Sequence, residues 1–231
     1  NVQAWLKDAT YAWYDPCPRA LLFQHAKPPY DDPNVRKAIS SLIDRDQLVA
    51  LAYEGSTTTA TSIWPAYSFF KPYMYAISDI VANSAVSYDA AKAEEYFTAA
   101  GFAKDSEGFW AKDGQRLSPV LLTNSDAAEN MKVAQVIADQ LTAGGVAVQL
   151  QPLAGAVQSS AQLAGNFDLY APQPFCPGTI YENMELFHSK FYVPLGEAAP
   201  WYERNSFRYK NPEYDAVVDE MLAALGKNAD E

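Results

Sequence analysis

Lys27 to Val49 reads KPPYDDPNVRKAISSLIDRDQLV. An extended segment ends at Pro28-Pro29, and Asp32 then stands where a helix N-cap is needed. Pro33 follows at the first helical position, where its missing amide had no intrahelical partner anyway. Val35, Ala38, Ile39 and Leu42 recur at helical spacing. Ile43-Asp44-Arg45-Asp46 interrupts them before Leu48, Val49 and Leu51 resume, so the stretch predicts two short helices meeting at an acidic corner.

Upstream, Asn1 to Tyr14 is rich in aromatics, and Thr10 to Trp13 has the residue types of a short strand. Asp15-Pro16-Cys17-Pro18 is a turn cluster. Ala20 to Gln24 is a nearly continuous apolar run, as expected of a strand buried on both faces in the middle of a sheet. Downstream, Gly55 to Ser62 is small and polar and predicts a loop, leading through Ile63-Trp64-Pro65 into an aromatic-dense segment, Tyr67 to Tyr75. Asp89 predicts the cap of a helix over Ala90–Ala100 stopped by Gly101, and Asp113-Gly114 between two strand-like pieces predicts a hairpin. Val120–Thr123 reads as a strand. Asp126 with Glu129 reads as a capping box for a helix over Ala127–Ala143, with Met131, Ala134, Ile137, Ala138 and Leu141 on one face and Gly144-Gly145 at its end. Val146–Leu150 is the next expected strand, Ala156–Leu163 a short helix and Phe167–Ala171 a late strand. Asn211-Pro212 opens a last helix with Tyr214, Val217, Val218, Met221 and Leu225 toward the core. Strands alternating with helices make the fold class α/β.

The 231 residues suit one large domain, or one with a small appendage. A formal net charge of −11 argues against nucleic acid as a partner, because phosphate binding needs clustered Lys and Arg. No apolar run approaches the roughly 20 residues a membrane helix requires. Two histidines, His25 and His188, do not make a zinc or nickel site, and no cofactor motif is present: there is no Walker loop and no Gly-x-Gly-x-x-Gly. Neither is there a Gly-x-Ser-x-Gly elbow. Acidic pairs such as Glu182 with Glu185 have ordinary spacing for one face of a helix and mark no catalytic pair.

The opening stretch resembles the signature K-P-P-F-x-D-x-x-V-R-x-A-(I/L)-x-x-x-(I/M)-D-R-x-x-(I/L) of the peptide/nickel class, family 5, of extracytoplasmic solute-binding proteins serving ABC importers. Tyr88-Asp89-Ala90-Ala91-Lys92-Ala93, Ala99-Ala100-Gly101-Phe102 and Phe167-Asp168-Leu169 follow in the family's order. The resemblance implies a lobe of the periplasmic-binding-protein type II kind, a mixed β-sheet flanked by helices. Residues 1–14 would be a hinge-proximal segment and 15–231 a single ligand-binding lobe. Asn stands at position 1 and the last residues fade out of a helix, so the chain reads as part of a longer two-lobed protein whose N-terminal part would carry a signal peptide. The implied function is capture of an oligopeptide-class solute by hinge closure, in the periplasm or elsewhere outside the cytoplasm, with delivery to an ABC permease in the membrane. The intact protein is expected to be a monomer. Of a different class is a stand-alone interaction or carbohydrate-adhesion domain.

In some members of that family a cysteine pair occupies the regions of Cys17 and Cys176, with slightly different spacings. An even count in an exported protein fits a bridge, and both cysteines fall at one end of the sheet if the first and last strands lie antiparallel side by side; two buried thiols are the alternative. Peptide-binding members carry Gly-Trp-x-x-Asp-Tyr-x-x-Pro where this chain has Pro172 to Asn183. Phe175 takes the aromatic place, and Pro177 stands at the acid's place with Glu182 the nearest carboxylate, which weakens ammonium recognition. An oligosaccharide, read by aromatic faces and neutral polar groups, is therefore the second solute class. The candidate solute contacts are Trp64, Phe175, Gln173, Thr179, Tyr181, Glu182 and Asn183, each aromatic being also a candidate for plain packing. Trp201 lies in an irregular stretch suited to contact with another lobe.

Overall fold

The computed structural model describes residues 15–201 and 204–228, apart from the side chains of 225–228. The segment 1–14, with the strand expected at Thr10–Trp13, lies outside the described residues. Among the described residues the main sheet has four strands: β1 (Arg19–Phe23), β5 (Val120–Asn124), β6 (Gln149–Leu153) and β7 (Leu169–Pro174). Their order is β1-β7-β5-β6, with β5 parallel to both β6 and β7 and β1 antiparallel to β7. Period-two alternation splits the central strands between two cores: Leu121 and Leu169 face one side, Leu122 and Tyr170 the other. Among the described residues β1 and β6 are the edge strands, so the strand expected in the middle of the sheet stands at its rim, with Leu22 its one buried residue; Pro152 is tolerated in β6 because half of an edge strand's amides need no sheet partner.

The larger core joins that sheet to α1 (Pro33–Ser41), α2 (Arg45–Ala52), α5 (Ala90–Ala99) and α6 (Ala128–Ala143). Phe97 is fully buried, stacked on Trp110 with ring centroids 4.7 Å apart; burying a side chain of this kind contributes about 1.5–3 kcal/mol. Trp110 belongs to a small second sheet, β2 (Ala103–Lys104), β3 (Trp110–Lys112) and β4 (Gln115–Arg116), whose hairpin turns at Asp113 and Gly114, both at positive φ. The smaller core, around Phe167, Phe175, Leu186 and Phe207, lies under α7 (Gly155–Ala164), α8 (Ile180–Glu185) and α9 (Pro212–Asn228).

Several expectations shift. The strand placed at Val146–Leu150 begins at Gln149, because Val146 completes the stop of α6: its amide donates to the Leu141 carbonyl while that of Gly145, at φ 89°, donates to Thr142. The same double bond ends α5, where Gly101 at φ 85° lets Phe102 return to Phe97. The capping box expected at Asp126 and Glu129 does not form. Asp126 instead accepts the Gly155 amide at 2.8 Å, tying the end of β5 to the start of α7. The aromatic segment Tyr67 to Tyr75 is a 3₁₀ turn (Ser68–Phe70) running into α3 (Lys71–Ala76), followed by α4 (Ser78–Ser84). On α9, Val218 is buried but Val217 is 65% exposed, since the helix is covered along a narrow seam only.

The opening stretch is a folding device. Asp32 and Asp44 cap α1 and α2 through the amides of Asn34 and Gln47. Residues 25–32 form successive turns where an extended segment was expected, and Arg36 donates to the carbonyls of Tyr30 and Asp31 at 2.7 and 2.8 Å, which holds those turns against α1. Lys27 pairs with Asp168 at 3.2 Å, and the other oxygen of Asp168 accepts the Val120 amide at 2.9 Å, so two distant motif residues fasten β1, β5 and β7 together.

His25, just before Lys27, lies against the rings of Phe207 and Tyr209. Burial, and then the charge of Arg36, lowers its pKa from 6.5 to about 4. The unfolded chain therefore binds this proton more readily than the folded one. The stabilisation is complete above about pH 6.5 and is lost as the pH falls toward 4, by up to about 3 kcal/mol. Urea midpoints at pH 7 and pH 4.5 are expected to fall further for the wild type than for His25→Gln. Parallel falls would show that His25 contributes nothing to the acid response.

Candidate functional site

A cavity of about 960 Å³ opens beside β1 and β7 on the face covered by α2 and α6. Its floor is the corner between α1 and α2, with Ser40, Ile43, Arg45 and Leu48. One wall is α6, with Glu129, Val133 and Ile137; the helix follows the carboxyl end of β5. In open α/β sheets this edge is where ligands bind, because the loops there are free to vary while the strands hold them in place. Its roof is the loop from Ser56 to Tyr67, which brings seven hydroxyl side chains and Trp64. The roof forms because α2 ends at Tyr53 and the chain turns through Glu54 and Gly55, both at positive φ. The Ala66 amide then pins it to the Pro16 carbonyl at 2.9 Å, and the Asn183 side-chain amide donates to the Ile63 carbonyl at 3.2 Å. Trp64 stands 6.2 Å, centroid to centroid, from the buried Phe70 ring.

The walls carry charge of both signs. Arg19 is paired with Asp15 at 2.6 Å. Arg45 donates to the Ser40 hydroxyl at 2.7 Å and to the Ile43 carbonyl at 3.2 Å, with no carboxylate in ion-pair range among the described residues. Its burial lowers the guanidinium pKa, since charge is disfavoured away from water. Glu129 likewise has no ion-pair partner among the described residues. Burial, then the nearby Glu129 carboxylate, raises Tyr53 to about 12, so its hydroxyl keeps its proton.

Of the candidate solute contacts, Trp64 lines this cavity and the others do not. Phe175, expected to face the solute, is 1% exposed and stacks on Phe187 in the smaller core. Gln173, also 1% exposed, continues a row of buried amides: Gln158 donates to Gln162, Gln162 to Gln173 at 2.6 Å, and Gln173 to the Pro174 carbonyl. Asn183 is fully buried and clamps the roof. Thr179 and Glu182 form a capping box for α8, the Glu182 carboxylate accepting the amides of Gly178 and Thr179 at 2.9 and 3.0 Å. The carboxylate proposed for an ammonium is thus committed to a helix end. Tyr181 donates to Glu185, which also holds Lys190. Cys17 and Cys176 are bonded, with Cα atoms 5.1 Å apart, just beyond the antiparallel pair Arg19 and Pro174. Trp201 is half exposed. Arg45, Tyr53 and Glu129 were missed: the first two read as signature and helix-end residues, the third as part of a capping box.

Residues 10–175 match the family described as bacterial extracellular solute-binding proteins, family 5 middle. The peptide transport periplasmic protein SapA of Salmonella typhimurium is 26% identical over 88% of this chain and 33% of its own length. The glutathione-binding protein GsiB of Pectobacterium atrosepticum is 27% identical over 84% of this chain and 34% of its own. The chain thus spans about a third of the length of these curated relatives. A periplasmic oligopeptide-binding protein of Thermotoga maritima superposes with a TM-score of 0.77 at 21% identity, covering 95% of this chain and 42% of that one. A second crystal structure of it, bound to mannohexaose, also gives 0.77, at 23% identity over 94% of this chain and 40% of that one.

Proposed function

Because the chain belongs to the family 5 bacterial extracellular solute-binding proteins, we propose that it is one lobe of the binding component of an ABC importer and captures an oligopeptide-class solute. The observation that carries the choice of solute is the mixed, unneutralised charge of the cavity, with the Glu129 carboxylate and the Arg45 guanidinium on walls of one space. A short peptide is a zwitterion with a polar backbone and suits that pairing, since a charge enclosed when two lobes close needs a counter-charge. Capture follows from closure of this lobe and another around the solute, and the closed form docks on a membrane permease outside the cytoplasm. The role is binding and not catalysis. Among the described residues no helix is long and apolar enough to cross a membrane.

An oligosaccharide is the second reading. It is favoured by the hydroxyl-rich roof with Trp64 and by the mannohexaose bound to the Thermotoga protein. Thermal-shift titration of the protein expressed from its complete reading frame separates the two, because a ligand that binds only the folded state raises Tm. Di- to pentapeptides are expected to raise Tm, and Trp64→Ala to weaken binding about tenfold through the lost aromatic face. A rise with mannohexaose and with no peptide would replace the peptide reading by the sugar one.

A further inference from the structure

Arg45 stands on the cavity floor at the first position of α2, and its guanidinium is only partly engaged. Nη1 donates to the carbonyls of Ser40 and Ile43 at 3.4 and 3.2 Å, and Nη2 donates to the Ser40 hydroxyl at 2.7 Å. A guanidinium has five N–H donors, so Nε–H and one Nη2–H are left without an acceptor among the described residues. Nε and Nη2 share one edge of the guanidinium plane. Unlike the Nε of Arg208, that of Arg45 is not closed off from the surface. The side chain is half-buried, and burial alone shifts its pKa. Ile43 and Leu48 on the same floor, with Val133 and Ile137 on the α6 wall, offer nothing to neutralise it. Of the other cations lining the cavity, Arg19 is already paired with Asp15, and Lys71 is exposed at the start of α3 and stays in water.

We infer that Arg45 seats the terminal carboxylate of the captured solute. This rests on the peptide reading above and assigns one end of that solute. Two N–H groups along one edge suit the two oxygens of a carboxylate, and a bidentate pair of this kind is stronger and more directional than a single bond to a neutral acceptor. A sugar hydroxyl or an amide carbonyl can accept one of these bonds but brings no charge. Enclosing the guanidinium without a counter-charge would be unfavourable. The apolar side chains around the floor exclude water and so strengthen the pairing.

The test uses the protein from its complete reading frame with two probes, trialanine and trialaninamide, which differ in the terminal carboxylate alone. Calorimetric titration of the wild type is expected to favour trialanine by about tenfold or more, the scale of a charge-assisted pair. Arg45→Gln removes the charge and should reduce that preference to about twofold or less. Arg45→Lys keeps the charge without the planar fork and should leave about threefold; it decides alone if Arg45→Gln does not fold. Each preference compares two ligands on one protein, so it is not moved by the fall in ligand-free Tm that losing the bonds to Ser40 and Ile43 would bring. Equal binding of the two probes by the wild type, or an undiminished preference in the Arg45 variants, overturns the carboxylate seat and leaves the peptide reading standing. Failure of the wild type to bind either probe overturns both.

Discussion

Reduction of the Cys17–Cys176 bridge is expected to lower the stability of the folded chain by about 2–4 kcal/mol, read as a fall in the urea midpoint with and without a phosphine reductant. The two residues lie 159 positions apart. Cross-linking so long a loop removes chain entropy from the unfolded state, with a ceiling of about 5 kcal/mol on that account. The bridge also joins the entry of β1 to the exit of β7, the same end of the sheet at which the roof is pinned to Pro16. Reduction should therefore loosen the roof before it unfolds the core, and amide exchange at Ala66 is expected to rise earlier than exchange in β5. A midpoint indifferent to reductant, or two alkylatable thiols in native protein, would remove the bridge from the account of stability.

Arg208→Met should cost about 3–5 kcal/mol, although the arginine has no carboxylate partner in ion-pair range among the described residues. The guanidinium is 1% exposed and is held entirely by carbonyls: Ser206 at 2.8 Å, Leu163 at 2.9 Å and Glu197 at 2.7 Å, with Asn205 and Pro194 at 3.5 Å. Burial lowers its pKa, yet a guanidinium stays charged, and its planar fork is what reaches several acceptors at once. Methionine removes the whole fork: the Glu197 carbonyl loses its partner, and those of Leu163, Pro194, Asn205 and Ser206 are each left, among the described residues, with a single bond, from the amides of Ala199, Glu197 and residue 208 and from the Gln24 side chain. The backbone there has φ 57°, a strain that arginine and methionine share, so the difference reports the lost fork. Arg204→Met, on the exposed side of the same loop, is the control and should stay within about 0.5 kcal/mol. Equal losses in the two variants would mean that the carbonyls find other partners and that Arg208 is replaceable.

What could be read from the chain alone was local. Asp32 and Asp89 announce helix starts because a side-chain oxygen satisfies an orphan amide one turn ahead, whatever the rest of the protein does. Gly101 and Gly145 announce helix stops because a left-handed residue is needed there, and the Asp113-Gly114 hairpin follows the same logic. The family's own pattern in residues 27–49 carries most of the rest. The cysteine pairing needed one further condition, that β1 and β7 be antiparallel neighbours, and the sheet meets it.

The site was not legible for a different reason. Glu129 and Asp126 look alike as a capping box, but Asp126 is drawn to Gly155 by the packing of α7 beside β5, and Glu129 is left facing a cavity. Tyr53, Trp64 and Glu129 come from the end of α2, the roof and α6 and line one cavity only in the folded chain. Phe175, Gln173 and Asn183 have the chemistry of solute contacts, yet a sequence does not say which side of β7 or α8 is covered. Local hydrogen-bond supply and demand determined where the elements begin and end, because those bonds close within a few residues. Which polar groups are buried with partners and which are left facing open space was decided by tertiary packing, because desolvation depends on neighbours the chain brings from a distance.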